Sequence, residues 1–330
     1  MKRIPWAFLL ALSIGSYTLM VAPGSAADAK AAERYPIKPV RMVVPFAPGG
    51  GVEAQARIVS QKLTEALGQP VVIDGRPGAG GALGAQIVAS SAPDGHTLLF
   101  TNAAFATLSS LSNRPLFDPY RDFTPVIHVG VQPQLLVAHP SMPATLHELL
   151  ALARKQPGKL SFASAGVGAM SQLTVELLKS MAGVNIVHVP YKGSAPSVTA
   201  ILSGEVQLAI LGANVVMPHM RSGKLRALGI TSAKRSISLP EVPTIAESGV
   251  PGYETTQWSA ILAPAHTPRA VVTKLHAEVN RALKRDDVRQ QLANLGVEPV
   301  GGTPEDFATY LRADIAKWTR LIKETGLRAE

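Results

Sequence analysis

Three glycine-rich turns recur along the chain, and each stands between a short apolar run and a helical pattern. They lie at 45–53, 76–84 and 164–170, and a weaker example lies at 190–197. The first N–H groups of a helix have no acceptor within the helix and carry a partial positive charge. A glycine in front of the helix lets a ligand approach that backbone closely. The repeated turn therefore predicts a site for an anion that does not depend on charged side chains.

The side chains that catalysis would need do not form a recognisable motif. Leu83 stands where a dinucleotide-binding fingerprint requires glycine, and no phosphate-loop Lys-Ser or Lys-Thr pair follows a glycine turn. The eight histidines are dispersed, and His188, in an apolar strand, is more typical of a hydrogen-bonded buried histidine than of a base. Asp74 and Glu53 each fit a ligand contact and a structural role equally well, and Lys192 could equally favour an anion electrostatically or lie at the surface. We therefore predict no catalytic residue, no cofactor and no metal.

Composition limits the class of protein. A chain of 330 residues fits two domains of ordinary size, and its 46% hydrophobic and 17% charged residues favour a buried core over disorder. The net charge is +9, but the cations are scattered, the densest pair, Lys284-Arg285, precedes two aspartates, and aromatic residues make up only 5%. We expect no nucleic-acid partner. Without cysteine, disulfides, a thiolate nucleophile and a lipidated N-terminal cysteine are all excluded.

The N-terminus has the order of a secretory signal peptide. Lys2-Arg3 precede an apolar run from 4 to about 21, and small residues from Pro23 to Ala27 follow. The alternative is a membrane anchor, but Pro5 and several polar residues make the run a poor spanning helix. We expect residues 1–27 to be a signal peptide, cleaved after Ala26 or Ala27. The mature protein is then periplasmic, soluble and free of an anchor.

The pattern of elements predicts the architecture that must position the glycine turns. Short apolar runs alternate with helical patterns, which is typical of βαβ units and predicts an α/β fold with a mixed, mainly parallel sheet in each lobe. Residues 125–138 and 256–263 are predicted to be strands that cross between two lobes. Lobe 1 then comprises 35–130 and 256–330, and lobe 2 comprises 131–255.

Three helices are predicted to close the chain. Thr267-Pro268 and Thr303-Pro304 each place a cap residue before a first-turn proline, a pattern that marks a helix start. In the last helix the apolar side chains, Trp318 among them, recur at helical spacing. We interpret that stripe as core.

Taken in order, eight segments resemble the Bordetella-uptake-type, tripartite-tricarboxylate-receptor family of periplasmic solute-binding proteins, over about 35 to 325. They are Pro36–Arg41, Val44–Gly51, Gly68–Val72, Arg76–Gly81, Ala92–Gly95, Val187–Gly193, Gly223–Leu228 and Leu239–Thr244. The resemblance implies a type II periplasmic-binding-protein fold that closes on its ligand between two lobes. It also implies a small carboxylate ligand, delivery to a two-component membrane permease of the tripartite tricarboxylate type, and no enzymatic activity. A monomer is expected.

The resemblance further implies that the turns at 47–52 and 164–170 clamp a carboxylate through backbone N–H groups, helped by 212–214. The predicted ligand-binding residues are Phe46, Pro48, Gly49, Gly50, Gly51, Val52, Asn102, Ser164, Ala165, Gly166, Gly168, Ala169, Met170, Ala213 and Asn214.

Three positions depart from the family's usual residues, and each lies near a predicted binding loop. Val52-Glu53 replaces Thr-Asp, Gln172 replaces a histidine, and Leu211-Gly212 replaces Asp-Asn. The side chains near these loops are apolar, so we predict a mono- or dicarboxylate with an apolar body rather than citrate or an amino acid. Two other functions remain open from the residues alone: a ligand-binding sensor, or a hydrolase on a similar scaffold.

Overall fold

The computed structural model describes residues 34–236 and 239–328, so the predicted signal peptide lies outside the described residues. The chain forms two mixed sheets. The first has six strands in the order β11-β4-β10-β3-β1-β2. Its strands are β1 (Val40–Val44), β2 (Val71–Gly75), β3 (Thr97–Asn102), β4 (Phe123–Gln132), β10 (Gln257–Pro264) and β11 (Glu298–Gly301).

The second sheet has five strands in the order β7-β6-β8-β5-β9. Its strands are β5 (Gln134–Ala138), β6 (Ser161–Ser164), β7 (Val187–Pro190), β8 (Leu208–Gly212) and β9 (Arg226–Ile230). Parallel ladders join β1 to β2 and β3, and β6 to β7 and β8, whereas the other ladders are antiparallel. The predicted α/β fold with mixed sheets is confirmed, although parallel pairs do not predominate among the ladders.

Helices cover both faces of each sheet. Those around the first sheet are α1 (Gly51–Leu67), α2 (Ala82–Ala89), α3 (Phe105–Leu111), α8 (Arg269–Leu283), α9 (Asp286–Asn294) and α10 (Pro304–Thr325). Those around the second are α4 (Leu146–Lys155), α5 (Met170–Ala182), α6 (Ser194–Leu202) and α7 (Ala213–Arg221). No helix within 34–236 and 239–328 has the length and hydropathy needed to span a bilayer.

Four apolar clusters hold these layers together, one on each face of each sheet. The central strands are buried on both faces, which explains why β1 and β3 appear in the sequence as continuous apolar runs rather than as alternating patterns. Trp318 has no exposed surface, so the predicted apolar stripe of α10 belongs to the core.

The chain passes from the first sheet to the second at Pro133, between β4 and β5, and returns after Thr255 into β10. Two α5 side chains, Met170 and Leu173, pack in the apolar cluster of the first sheet that also contains residues of α10. The two lobes therefore touch through an apolar contact at the start of α5. The predicted lobe boundaries, 130/131 and 255/256, stay a prediction.

The two predicted helix starts differ in their hydrogen bonds. Thr303 caps α10 in a capping box with Asp306, as its sequence pattern predicts. At α8 the cap position is Pro268 instead, and the Thr267 hydroxyl donates to the Pro264 carbonyl at 2.7 Å. The prediction that Thr267 caps a helix is therefore wrong, because its hydroxyl bonds to the preceding turn.

Helix α2 approaches closely both Pro45, which follows strand β1, and the backbone of the second glycine turn at Arg76. A Cβ on Gly84 would lie 2.6 Å from Pro45 Cβ and 2.9 Å from the Arg76 carbonyl oxygen. These contacts involve backbone or proline ring neighbours, which have little freedom to move. Glycine at position 84 is therefore required by packing, although the helix itself would favour alanine.

We expect Gly84→Ala to lower the free energy of unfolding by about 1–3 kcal/mol, because the added methyl overpacks the contact with Pro45. Urea unfolding of the variant and the wild type measures the change. Gly75→Ala is the matched control, since the nearest atom to its Cβ would lie at 3.8 Å, an ordinary contact. Equal stability of the two variants would contradict the packing argument.

Candidate ligand-binding site

The first glycine turn is fixed by a carboxylate of its own helix. The N–H of Gly49 donates to Glu53 Oε2 at 2.5 Å, and Arg57 Nε donates to Glu53 Oε1 at 2.9 Å. Gly49 has a φ of 82°, a conformation that favours glycine. Glu53 is buried. Of the two roles considered for it, a ligand contact and a structural role, these hydrogen bonds support the structural role.

The first backbone N–H groups of α1 are not used by hydrogen bonds within the helix. The first bond back along α1 runs from the Ala54 N–H to the Gly50 carbonyl at 3.1 Å. The N–H groups of Gly51 and Val52 precede that bond and so have no acceptor within the helix. Glu53 thus orders the turn through Gly49 while these later donors stay available for an anion.

The third glycine turn repeats this arrangement with a neutral side chain. The N–H of Gly168 donates to Gln172 Oε1 at 2.7 Å, again across four residues, and Gln172 is buried. The Ala165 N–H donates to Ser171 Oγ at 2.9 Å. The first bond back along α5 comes from the Gln172 N–H, which leaves the N–H groups of Met170 and Ser171 without an intrahelical acceptor.

A serine and a histidine lie side by side behind the third turn. Ser164 Oγ is 2.6 Å from His188 Nε2, and it also accepts from the Gly166 N–H at 3.1 Å. Ser164 is 1% exposed, so its hydroxyl cannot reach a substrate in the cleft. His188 lies on an edge strand and is only partly buried, contrary to the expectation of a buried histidine. The pair fixes the turn and is not a nucleophile with its base.

The turn at 190–197 is hydrogen-bonded to the third glycine turn. The N–H groups of Tyr191 and Gly193 donate to the carbonyls of Ser164 and Ala165 at 3.0 and 3.1 Å. Lys192, between them, is exposed. The segment thus braces the third turn by backbone hydrogen bonds.

The second and third turns face each other across a large cavity of about 680 Å³. One wall comes from Ala79, Gly80 and Ala82, and from α3 with the loop that follows it to Phe117. The other wall is the segment 165–170 of the second lobe. Ligand pockets commonly have this size and form between lobes.

A second, smaller cavity of about 40 Å³ lies where the strands cross between the lobes. Its wall includes Val52, Asn102 and Gln132, together with Gln55 and Ser259. Gln55 Oε1 and Ser259 Oγ are buried and have no hydrogen-bond partner among the described residues. The cavity is lined by both polar and apolar side chains and has room for ordered water beside the polar ones.

The predicted site residues divide among these features. The large cavity brings together Ala165, Gly166, Gly168, Ala169 and Met170, and the small cavity brings together Val52 and Asn102. The remaining predicted residues line neither cavity; they are Phe46, Pro48, Gly49, Gly50, Gly51, Ser164, Ala213 and Asn214.

Several of these remaining residues hold neighbouring elements. The Phe46 ring lies 3.4 Å from where a Cβ on Gly81 would stand, so it packs against the second turn. The Ala213 N–H donates to the Pro133 carbonyl at 3.2 Å, and Asn214 Oδ1 accepts from Gln132 Nε2 at 3.4 Å. Ala213 and Asn214 therefore attach α7 to the crossing between the lobes.

Sequence reasoning missed helix α3 and the loop at 112–117, which form much of the large cavity. Phe105, Leu108 and Leu111 recur every three residues, which is the helical signal in this segment, but the run is too short to be distinctive. Asp74 is also structural, since its carboxylate accepts from Arg41 at 2.6 Å and from Arg76 at 3.0 Å. Among the described residues, no group of three or more His, Cys, Asp or Glu side chains is arranged to hold a metal.

The two lobes, their mixed sheets and the cleft between them define a periplasmic-binding-protein fold. Residues 55–327 match the tripartite tricarboxylate transporter family receptor. The chain belongs to this family of periplasmic solute-binding receptors, which are not enzymes, and the predicted family resemblance is confirmed.

Individual relatives match over most of their length. A protein from the tcbD-tcbE intergenic region of Pseudomonas sp. strain P51 is 41% identical, over 92% of this chain and 91% of the relative. Protein BugT of Bordetella pertussis is 37% identical, over 94% of this chain and 96% of the relative.

Two solved structures are similar in fold and contain a carboxylate. An R. palustris protein with adipate is 38% identical, with a TM-score of 0.74, over 89% of this chain and 99% of that one. MatC from Rhodopseudomonas palustris with bound malate is 34% identical, with a TM-score of 0.70, over 87% and 100%.

The bond to Glu53 predicts a pH dependence of stability. Hydrogen bonds from Gly49 and then from Arg57 lower the pKa of Glu53 below its ordinary value of 4.5. A carboxylate with a lowered pKa stabilises the folded state above its unfolded pKa, and that contribution is lost as the pH falls through the folded pKa. We expect Glu53→Gln to be less stable than the wild type at neutral pH, and the difference to shrink below about pH 4.5.

Urea unfolding across this pH range measures the difference. Arg57→Met is the matched variant, because it keeps the Gly49 hydrogen bond and should retain part of the pH-dependent contribution. A difference between Glu53→Gln and the wild type that stays constant down to about pH 3 would show that the ionised carboxylate is not what stabilises the turn.

Proposed function

We propose that the protein is an exported receptor that captures a small carboxylate between its lobes and delivers it to a two-component membrane permease of the tripartite tricarboxylate type. Lobe 1 comprises 35–130 and 256–330, and lobe 2 comprises 131–255. The ligand closes them about the crossings at Pro133 and Thr255. Membership of the receptor family and the carboxylates bound to two solved relatives support this proposal.

One observation carries the carboxylate assignment. In both the first and the third turn, a buried side-chain oxygen accepts from a glycine N–H four residues earlier, Glu53 from Gly49 and Gln172 from Gly168. Each turn is thereby held rigid next to unpaired N–H groups at a helix start. Rigid, preformed donors suit a carboxylate oxygen, since little order has to be gained on binding.

The first turn offers a sharp test, because Gly50 is the cap residue of α1 with φ −80° and ψ 164°. Any residue can adopt this conformation, and aspartate is a preferred cap. We expect Gly50→Asp to fold with unchanged or greater stability. Its carboxylate would occupy the N–H groups intended for the ligand and lower affinity by at least about a hundredfold.

Calorimetry with adipate, malate, citrate, glutamate and benzoate identifies the carboxylate that the wild type binds best, and the variant is then titrated with it. Gly50→Ser is the control, since serine caps a helix equally well without adding a charge, and it should lose much less affinity. Full affinity in folded Gly50→Asp would refute a carboxylate at this turn. Gly168 is less suitable for such a test, because its φ of 73° strains any other residue.

Export is a separate part of the proposal. The charged, apolar and small-residue segments within 1–27 support cleavage after Ala26 or Ala27. We expect protein from a periplasmic fraction to begin at Ala27 or Asp28, as measured by intact mass. An uncleaved product retained in the cytoplasm would contradict export.

A further inference from the structure

We propose that Arg114 binds a second carboxylate at the far end of the ligand, so that the protein prefers a dicarboxylate with an apolar body. The inference deepens the proposed function and rests on it. Among the described residues that line the large cavity, Arg114 is the single charged side chain, and none of them is a carboxylate. A ligand whose first carboxylate is held by the first and third turns, as proposed above, extends past the third turn and meets one cation across the cavity, contributed by the other lobe.

The loop presents Arg114 in a defined way. Its backbone N–H donates to Ser112 Oγ at 3.1 Å, and Pro115 follows it, so the backbone is ordered while the side chain is exposed. The carboxylate nearest along the chain, Asp118, accepts from the N–H groups of Tyr120 and Arg121 at 2.8 and 3.3 Å. Asp118 is thus engaged in its own turn.

The guanidinium group suits a ligand carboxylate. It is always charged, and its planar fork can donate two parallel hydrogen bonds to the two carboxylate oxygens. A lysine would supply only a point charge at this position. The residue type therefore favours recognition of a carboxylate over a general attraction for anions.

The space between the third turn and Arg114 is lined largely by apolar side chains, with Thr107, Ser109, Ser112 and Asn113 among them. Leu108, Leu111, Leu116 and Phe117 line it from the first lobe, and Val167 and Met170 line it from the second. Leu116 and Val167 are 41% and 52% exposed, on opposite walls. A hydrocarbon spacer would bury both side chains, whereas a spacer with hydroxyl or amino groups would bury less apolar surface against them. Citrate and amino acids are disfavoured for this reason.

Two ligand pairs isolate the second carboxylate. Adipate and hexanoate have the same six-carbon chain, and terephthalate and benzoate have the same ring, but only the first of each pair has two carboxylates. We expect the wild type to bind at least one dicarboxylate about tenfold to a hundredfold more tightly than its partner, as measured by calorimetry. Arg114→Gln should lower that affinity to the level of the monocarboxylate, whose own affinity changes less than about threefold.

Three further measurements separate recognition of the carboxylate from general electrostatic attraction. Arg289→Gln removes an exposed arginine of α9, outside the cavity, and should leave every affinity unchanged. Arg114→Lys should keep only part of the preference for the dicarboxylate, because lysine lacks the planar fork. In the wild type, added salt should weaken dicarboxylate binding more than monocarboxylate binding.

The outcomes distinguish the two proposals. If the wild type binds mono- and dicarboxylates equally, or if Arg114→Gln keeps the preference, the role of Arg114 is refuted and the carboxylate receptor stands. If the wild type binds none of the four acids, nor malate or citrate, both proposals are refuted.

Discussion

The proposed carboxylate site depends on one physical constraint: a helix N-terminus must be ordered without using all of its N–H groups. Glu53 and Gln172 meet it in the same way, by accepting from a glycine four residues before them. A serine or threonine cap would instead accept from a donor inside the helix, at the second or third position. Placing the acceptor inside the helix and the donor in the turn leaves the first helical N–H groups open.

This constraint explains the architecture around it. Each turn follows a strand of a parallel ladder, β1 in one lobe and β6 in the other, because parallel strands end on the same edge and direct their helices to one crevice. The strands are buried on both faces, so the ends cannot shift without disturbing two apolar clusters. At the start of α5, Met170 and Leu173 join the core of the first lobe, and the third turn is thereby placed opposite the second.

Regular patterns in the sequence predicted much of this fold, and side-chain details explain what it could not predict. The helical pattern that follows the third glycine turn is found as α5, since its apolar residues follow the helical period and Gly183 ends it. Helix α3 has seven residues, too few for that period to be distinctive. The roles of Glu53 and Gln172 depend on the direction of a side chain, and the place of Arg114 in the cavity depends on how a loop folds. A periodic sequence pattern encodes neither the direction of a side chain nor the path of a loop.

Glu53 raises an electrostatic question, because a carboxylate beside an anion site should repel the ligand. The structure answers it with Arg57, one turn further along α1, whose guanidinium group donates to Glu53 and neutralises its charge at short range. Gln172 needs no such partner, since it is neutral, and the third turn has no comparable ion pair at Gln172 among the described contacts. The first turn is therefore ordered by a charge pair and the third by a neutral amide. In both turns the helix N-terminus then makes the main contribution to the electrostatic potential at the cleft. If the protein binds an anion as proposed, a single cation such as Arg114 would have a large influence, against that nearly neutral background, on which anion is preferred.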